Sequence, residues 1–530
     1  MTYRKNPVRI LVIALLVFAL SGVITTSAQD LPQGGRLVVA DGASNVSLDP
    51  FVTAWHSWPH YAIFSTLFVR DENLDYVGFL ADTWEVAEDG MSLTIHLIQN
   101  ATFTDGTPVN AEAIKWNLDK YANPDTGASQ GADLIGLLVS TDVIDEYTVQ
   151  LNLNASFAPL FYVLSGLEIV SPTAYEAAGP ENFGTAPVGA GPFMLEELNT
   201  NNYVLLQRNP DFTWAPPELY DNPGPVPLEE LQILFLDEQQ TILSALETGE
   251  VTVAGIPTQN LADVQANPDI TVDTAQLNEL RYIGFNTSKA PWDNVELRRA
   301  FAYATDREEV NLLAYDGLAQ TVYQPLPPAI WGHNPDLDAT SYHYEPERAA
   351  AMFDELGYVD ANGDGVRDNP DGSAWSVPLA VVNSDEMLRI AEVIDAQWRA
   401  LGIPVEIQPM ERSALIDLTT TGTHDLFLLY YGYSDPSILT YFFDPDRRGG
   451  SNRTWFVSDE LTALLQAADT DLNQETRYEK VTAVSQYIID QSPWIFLAAP
   501  PSLLGVRSEL QNWRVNPDLS FLYWNASFSQ

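Results

Sequence analysis

The sequence predicts an α/β protein, and two observations carry that reading. Short apolar or alternating runs of strand length recur along the chain, interleaved with segments whose apolar residues fall at helical spacing. Past the N-terminus, no apolar stretch approaches the about 18 uninterrupted residues of a membrane helix. At 530 residues the chain exceeds one compact core and suggests roughly three domain-sized units.

The elements follow in order. Residues 36–40 read as a short buried strand after a Pro/Gly opening, running into a turn-rich loop to Pro50 and the aromatic stretch 54–61. Residues 84–103 suggest two strands with a turn at Glu88-Asp89-Gly90. Thr107-Pro108 opens a helix whose apolar face carries Ile114, Leu118 and Tyr121. Strands are expected at 148–153, 203–207 and 231–236, the last leading into a helix with Leu243 and Leu246 that stops at Gly249. In the second half, Asp293-x-x-Glu296 and Thr305-x-x-Glu308 have capping-box spacing, each opening a helix. Residues 386–401 form an amphipathic helix closed by Gly402, with a strand at 403–407 behind it. Residues 424–431 are nearly all apolar, which suits a sheet covered on both faces. Helices at 459–469 and 474–490 precede Pro493 and a strand at 494–498.

Composition narrows the function classes. Lys and Arg total 25 against 72 Asp and Glu, a formal net charge of -47. With 46% hydrophobic residues, 13 Trp and 23 Tyr, the acid coats a filled interior and is not that of a disordered tail. A basic footprint for nucleic acid or an anionic membrane is excluded. The absence of cysteine removes disulfides, thiol nucleophiles, thiolate metal sites and a lipid-bearing cysteine anchor. Arg4, Lys5 and Arg9 precede an apolar core of 11 residues from Ile10 to Leu20, and Thr26-Ser27-Ala28 gives a small-residue exit. Residues 1–28 thus read as a secretory signal peptide, and the protein as exported to the periplasm or cell exterior; a retained anchor is the other reading.

No catalytic motif stands out. Carboxylate pairs are inevitable with so many acids, and there is no Gly-x-Ser-x-Gly elbow, His-Glu-x-x-His or phosphate loop. His56 and His60 are separated by Pro59, which argues against one helix face aiming both at a metal. Residues 360–371 place oxygen donors at calcium-loop spacing: Asp360, Asn362, Asp364, the Val366 carbonyl, Asp368 and Asp371, with Gly365 at the turn. Asp371 stands where Glu is usual. Two readings remain open, a structural calcium site and an Asx-rich turn, and neither requires a cofactor for function.

A series of blocks in order is similar to the family 5 extracellular solute-binding proteins, the oligopeptide, dipeptide and nickel-binding components of ATP-binding-cassette importers. They are Leu80-Ala-Asp-Thr-Trp84 with Phe103-Thr-Asp-Gly-Thr-Pro108, Pro187-Val-Gly-Ala-Gly-Pro-Phe193 with Gln207-Arg-Asn-Pro-Asp-Phe212, and Ala245-Leu-Glu-Thr-Gly-Glu-Val251. Tyr282-Ile-Gly-Phe-Asn-Thr287, Arg298-Arg-Ala300, Ala304-Thr-Asp-Arg307, Leu401-Gly-Ile-Pro-Val-Glu406 and Ser434-Asp435-Pro436 complete it. Most of these residues read as scaffold, with Arg298, Arg299, Asp306 and Arg307 expected to pair with one another or with carboxylates. The resemblance implies a two-lobed type II binding-protein fold with an extra subdomain, two hinge crossings near 277–286 and 490–500, and a monomer working with a membrane permease. Lobe I is expected over 29–276 with the subdomain at about 70–200, lobe II over 277–490, and a return to lobe I over 491–530.

The ligand site belongs in loops at strand ends facing the cleft. Two aromatic clusters qualify: Trp55, His56 and Trp58 after the first strand, and Tyr430, Tyr431, Tyr433, Ser434 and Asp435 after the apolar strand of the second lobe. Strand alternation turns one of Tyr430 and Tyr431 to the core. Peptide-binding members of the resembling family usually carry an aspartate shortly before this Asp-Pro to hold the peptide ammonium, where this chain has Gly432 and Tyr433. The expected solute is therefore an oligopeptide by family, or an oligosaccharide by the aromatic composition. A secreted hydrolase is the reading from another class.

Overall fold

The computed structural model describes residues 34–41, 47–53, 57–71, 75–220, 224–236, 238–514 and 524–529; the expected signal segment lies outside them. Two sheets divide the chain. The first orders its strands Ile270–Gln276, Pro501–Arg507, Val253–Gly255, Arg36–Asp41, Glu230–Phe235, Tyr203–Arg208, Phe193–Asn199. The second orders Gln320–Thr321, Trp494–Ala499, Glu279–Phe285, Leu426–Gly432, Val377–Val382, Val405–Met410. Between Arg36–Asp41 and Phe193–Asn199 the chain builds the inserted subdomain. Its four-stranded antiparallel sheet comprises Ala81–Val86, Ser92–Leu97, Thr148–Leu153 and Leu138–Asp145, with the helix Ala111–Tyr121 against it.

The chain passes from the first sheet to the second between Gln276 and Glu279, and back between Ala499 and Pro501. The return falls later than residue 491, because Trp494–Ala499 pairs with Glu279–Phe285 inside the second sheet. The crossings lie side by side: the Gln276 amide donates to the Ala499 carbonyl at 3.1 Å.

Alternation explains why Leu426–Gly432 is apolar throughout. Leu426 and Leu428 enter one core of the second lobe, while Phe427, Leu429 and Tyr431 enter the core on the opposite face. Gly284 is demanded by this packing, since a Cβ there would sit 2.2 Å from the Phe427 ring. Each of these buried side chains contributes roughly 1.5–3 kcal/mol.

Three local expectations are corrected. The first long helix runs Ala111–Tyr121 and is capped by Asn110, whose side chain accepts from Ala113 N–H at 3.0 Å, while Pro108 bridges back to Thr102. The capping boxes are displaced by one residue: Asn294 caps Val295–Tyr303 and Asp306 caps Arg307–Tyr315. Thr305 is buried instead, donating to the Phe301 carbonyl at 2.8 Å. Lastly, Arg298 and Arg307 are buried and bond to carbonyls, not carboxylates. Arg298 takes Gln491, Ser492 and Trp292, and Arg307 takes Phe496 and Tyr342. Burial draws both guanidinium groups down to about 10, and these bonds fasten the helices to the chain around the strand Trp494–Ala499.

Candidate functional site

The strand Leu426–Gly432 delivers the second-lobe cluster to the junction of the lobes. Tyr431 turns inward, its hydroxyl bonded to the Pro325 carbonyl and its ring among Tyr282, Phe442 and Trp494. Tyr430 faces the other way, its ring between the guanidinium groups of Arg281 at 4.6 Å and Arg412 at 4.5 Å. One step past the strand, Tyr433 N–H donates to the Asn278 carbonyl, and the Asn278 side chain donates to Ser434 Oγ at 2.6 Å. Asn278 stands in the first crossing, so this loop is tied directly to the hinge.

Tyr433 then reaches the other lobe. Its ring lies 4.3 Å from that of Tyr162, at the helix Leu160–Gly166 of the inserted subdomain. Arg70 stacks over the opposite partner, 5.5 Å from the Tyr162 centroid, and Phe161 lies 6.0 Å from Tyr76. Burial first, and then Asp435, raises the Tyr76 hydroxyl, while Arg70 opposes. An aromatic wall of the first lobe thus faces the aromatic end of the second.

Asp435 is not free for a ligand. Arg477 grips it with two bonds of 2.8 and 3.2 Å, and its Oδ1 accepts from Ser437 N–H at 2.9 Å, starting the next helix. Both side chains are buried, and the Arg477 guanidinium packs over Trp331 at 5.2 Å. Burial works against the Arg477 charge, but Asp435 outweighs it and moves the pKa up.

The first-lobe candidates divide. Trp55 and His56 lie outside the described residues. Trp58 stacks on Trp513, centroids 6.0 Å apart and planes 12° from parallel, which makes it a packing residue between the first lobe and its returning segment. His60 is buried within the helix Trp58–Ile63, where Pro59 is tolerated in the first turn; its Nδ1 meets Ser57 Oγ at 2.9 Å, and burial lowers it to about 4. The residues that sequence reasoning missed are Tyr76, Tyr162, Arg70, Trp331 and Arg477. They lie in four separate stretches without a shared motif, and only the fold brings them together.

The 360–371 segment lies at the far end of the second lobe. It precedes the strand Val377–Val382, which runs parallel to Leu426–Gly432, whereas the Tyr433–Asp435 loop follows the other end. Its oxygens are turned to backbone amides: Asp360 accepts from Gly363, Asp364 and Gly365, Asn362 from Asp364, Asp364 from Val366, Asp368 from Ala361, and Asp371 from Ser373. Among the described residues, no group of three or more His, Asp or Glu side chains is gathered as for a metal ion.

Two lobes joined by paired crossings, with aromatic side chains converging from both, define a binding protein that encloses a small molecule. The chain belongs to family 5 of the bacterial extracellular solute-binding proteins, whose middle-region model matches residues 75–451. Heme-binding protein A of Haemophilus influenzae is 27% identical over 79% of this chain and 78% of its own length. The probable D,D-dipeptide-binding periplasmic protein DdpA of Escherichia coli is 24% identical, with 92% and 93% covered. Among solved structures, the oligopeptide-binding protein AppA of Bacillus subtilis, in complex with a nonapeptide, superposes with a TM-score of 0.81 at 21% identity, covering 94% of this chain and 100% of its own. NikA from Brucella suis, in complex with Fe(III)-EDTA, gives 0.83 at 18% identity, with 93% and 100% covered. The fold is therefore the two-lobed type II fold expected from the sequence.

Proposed function

We propose that this protein is the exported receptor of an ATP-binding-cassette importer, that it closes over a peptide-class solute, and that it passes the solute unchanged to a membrane permease. The reading rests on family membership together with the Tyr162–Tyr433 contact, which links the lobes beside the hinge-bound loop. Relatives named for peptides support the solute class. The acidic coat has no role in this reading, and the protein acts as a monomer without a cofactor.

The solute-facing group is aromatic. With Asp435 held by Arg477, the second-lobe loop offers ring faces and neutral donors to the solute, not a carboxylate for an ammonium group. Burying an ammonium without a partner is costly, so peptides with a capped amino terminus suit this loop at least as well as free ones. The same observation favours a second reading, an oligosaccharide stacked on Tyr433 and its neighbours. The 360–371 loop has no part in either reading.

A thermal-shift series with free and N-acetylated tetrapeptides, cello- and xylo-oligosaccharides and nickel separates them. Stabilisation by both peptide forms is expected. Stabilisation by a sugar with none by any peptide overturns the peptide reading.

A further inference from the structure

Beside the aromatic contact, the lobes meet along a second seam. The helix Asp459–Asp469 ends against residues 155–158 of the inserted subdomain, and its last carbonyls take their hydrogen bonds there. Ala158 N–H donates to the Asp469 carbonyl at 2.7 Å, and Ser156 Oγ donates to the Thr470 carbonyl at 2.9 Å. Such terminal carbonyls have no donor within their own helix; the other lobe supplies it. Arg447 crosses the same seam to Asp133 at 2.9 Å. Between these contacts lies a cavity of about 200 Å³, walled by Leu137, Ser156 and Phe157 from one lobe and Thr440, Leu465 and Asp469 from the other.

Asp469 stands where a negative charge is poorly supported. It is the final residue of its helix, at the negative end of the helix dipole, with no basic residue in the last turn. The groups facing it are Asp435 and Arg477 of its own lobe, Asp133 of the other, and Thr440, whose hydroxyl donates to Oδ2 at 2.6 Å; Asp444 lines the same cavity.

We propose that closure of the lobes is coupled to protonation of Asp469, so that the seam holds in mildly acidic medium and loosens as the pH rises. The coupling does not depend on which solute is bound. In the closed form burial, followed by Asp435 and Asp133, raises the carboxyl to about 7, against the pull of Thr440 and Arg477. Separation of the lobes strips away Leu137, Ser156 and Phe157, and hydration returns the carboxyl toward its ordinary 3.8. Closing therefore takes up a proton between those two values. The closed-to-open ratio falls as pH rises through that window, by at most about tenfold per pH unit, and levels off above it.

The chain contains no cysteine, so Val139→Cys and Val457→Cys, both exposed and one on each lobe, can carry a fluorophore pair on the unliganded protein. Energy transfer read from about pH 4.5 to about 8.5, a range that covers most of the linkage window and its plateau, is expected to fall with rising pH. In Asp469→Asn the profile is expected to be flat. In Thr440→Val, which lacks the hydroxyl that favours the carboxylate, the decline is expected to move to higher pH. A flat or rising profile in the parent, an equal decline in Asp469→Asn, or a Thr440→Val profile superimposed on the parent overturns the proposal.

Discussion

Asp435 and Arg477 illustrate how a recognisable motif residue can be committed to the scaffold. The pair is buried, bidentate and shared with the cap of the following helix. Removing one partner strands the other charge, so Arg477→Ala is expected to cost about 3–5 kcal/mol in denaturant unfolding. A cost near that of an exposed ion pair, about 0–1 kcal/mol, would contradict this role. Tyr433→Ala, at a part-buried ring packed on the second-lobe core, is expected to cost about 1–2 kcal/mol of stability and to weaken solute binding about three- to tenfold, the scale of one aromatic pair, read by calorimetric titration. His60 and His424 are both held near 4 by burial, below the ordinary 6.5. Each binds fewer protons folded than unfolded, so their contribution is complete above pH 6.5 and is lost on acidification toward 4. Unfolding free energy measured across that window is expected to fall, and less so in His424→Gln. At this scale the sequence was half legible. Tyr433 could be singled out because it follows an apolar strand, but Tyr162 sits in an ordinary helix and acquires its role only when the lobes meet.

Elements were easier to read than their ends. The strand Leu426–Gly432 and the helix Asp385–Ala400 announce themselves by period and by punctuation, because burial on both faces or on one stripe dictates residue type at each step. Caps are chosen by backbone dihedrals that composition does not reveal. Asp293 and Asn294 are both good caps, and only Asn294 accepts from Glu296 N–H, at 3.0 Å. Asn294→Ala is accordingly expected to lower stability by about 1 kcal/mol while Asp293→Ala stays within a few tenths, compared by thermal melts. The 360–371 turn is a similar case. Calcium-loop spacing and an Asx-rich turn demand the same residues, and here the side chains hold the loop through its own amides. We expect chelation by EDTA to leave both melting temperature and solute affinity unchanged; a calcium-dependent rise in melting temperature, lost in Asp364→Ala, would assign the loop to the metal.

For the whole molecule, the ordered blocks gave the family and the two lobes, since scaffold glycines, caps and core positions recur wherever this fold is built. The second crossing lies at the end of the 490–500 stretch expected from the sequence, but the return to lobe I begins later than residue 491, because Trp494–Ala499 and Pro501–Arg507 are consecutive apolar strands that join different sheets, and nothing in their composition marks the change. The excess of 72 acidic over 25 basic residues also proved uninformative about the solute. The cations near the junction matter more: Arg477 neutralises Asp435, Arg447 meets Asp133, and Arg281 and Arg412 enclose Tyr430. In the proposed receptor, the side chains left to face the solute are aromatic and largely uncharged.

In its proposed role this chain binds and releases a solute without transforming it. Native mass spectrometry after prolonged incubation with free and N-acetylated tetrapeptides tests it most directly. One peptide per chain, of unaltered mass, is expected in the complex and in solution; fragments of the peptide, or no peptide retained, would contradict this role.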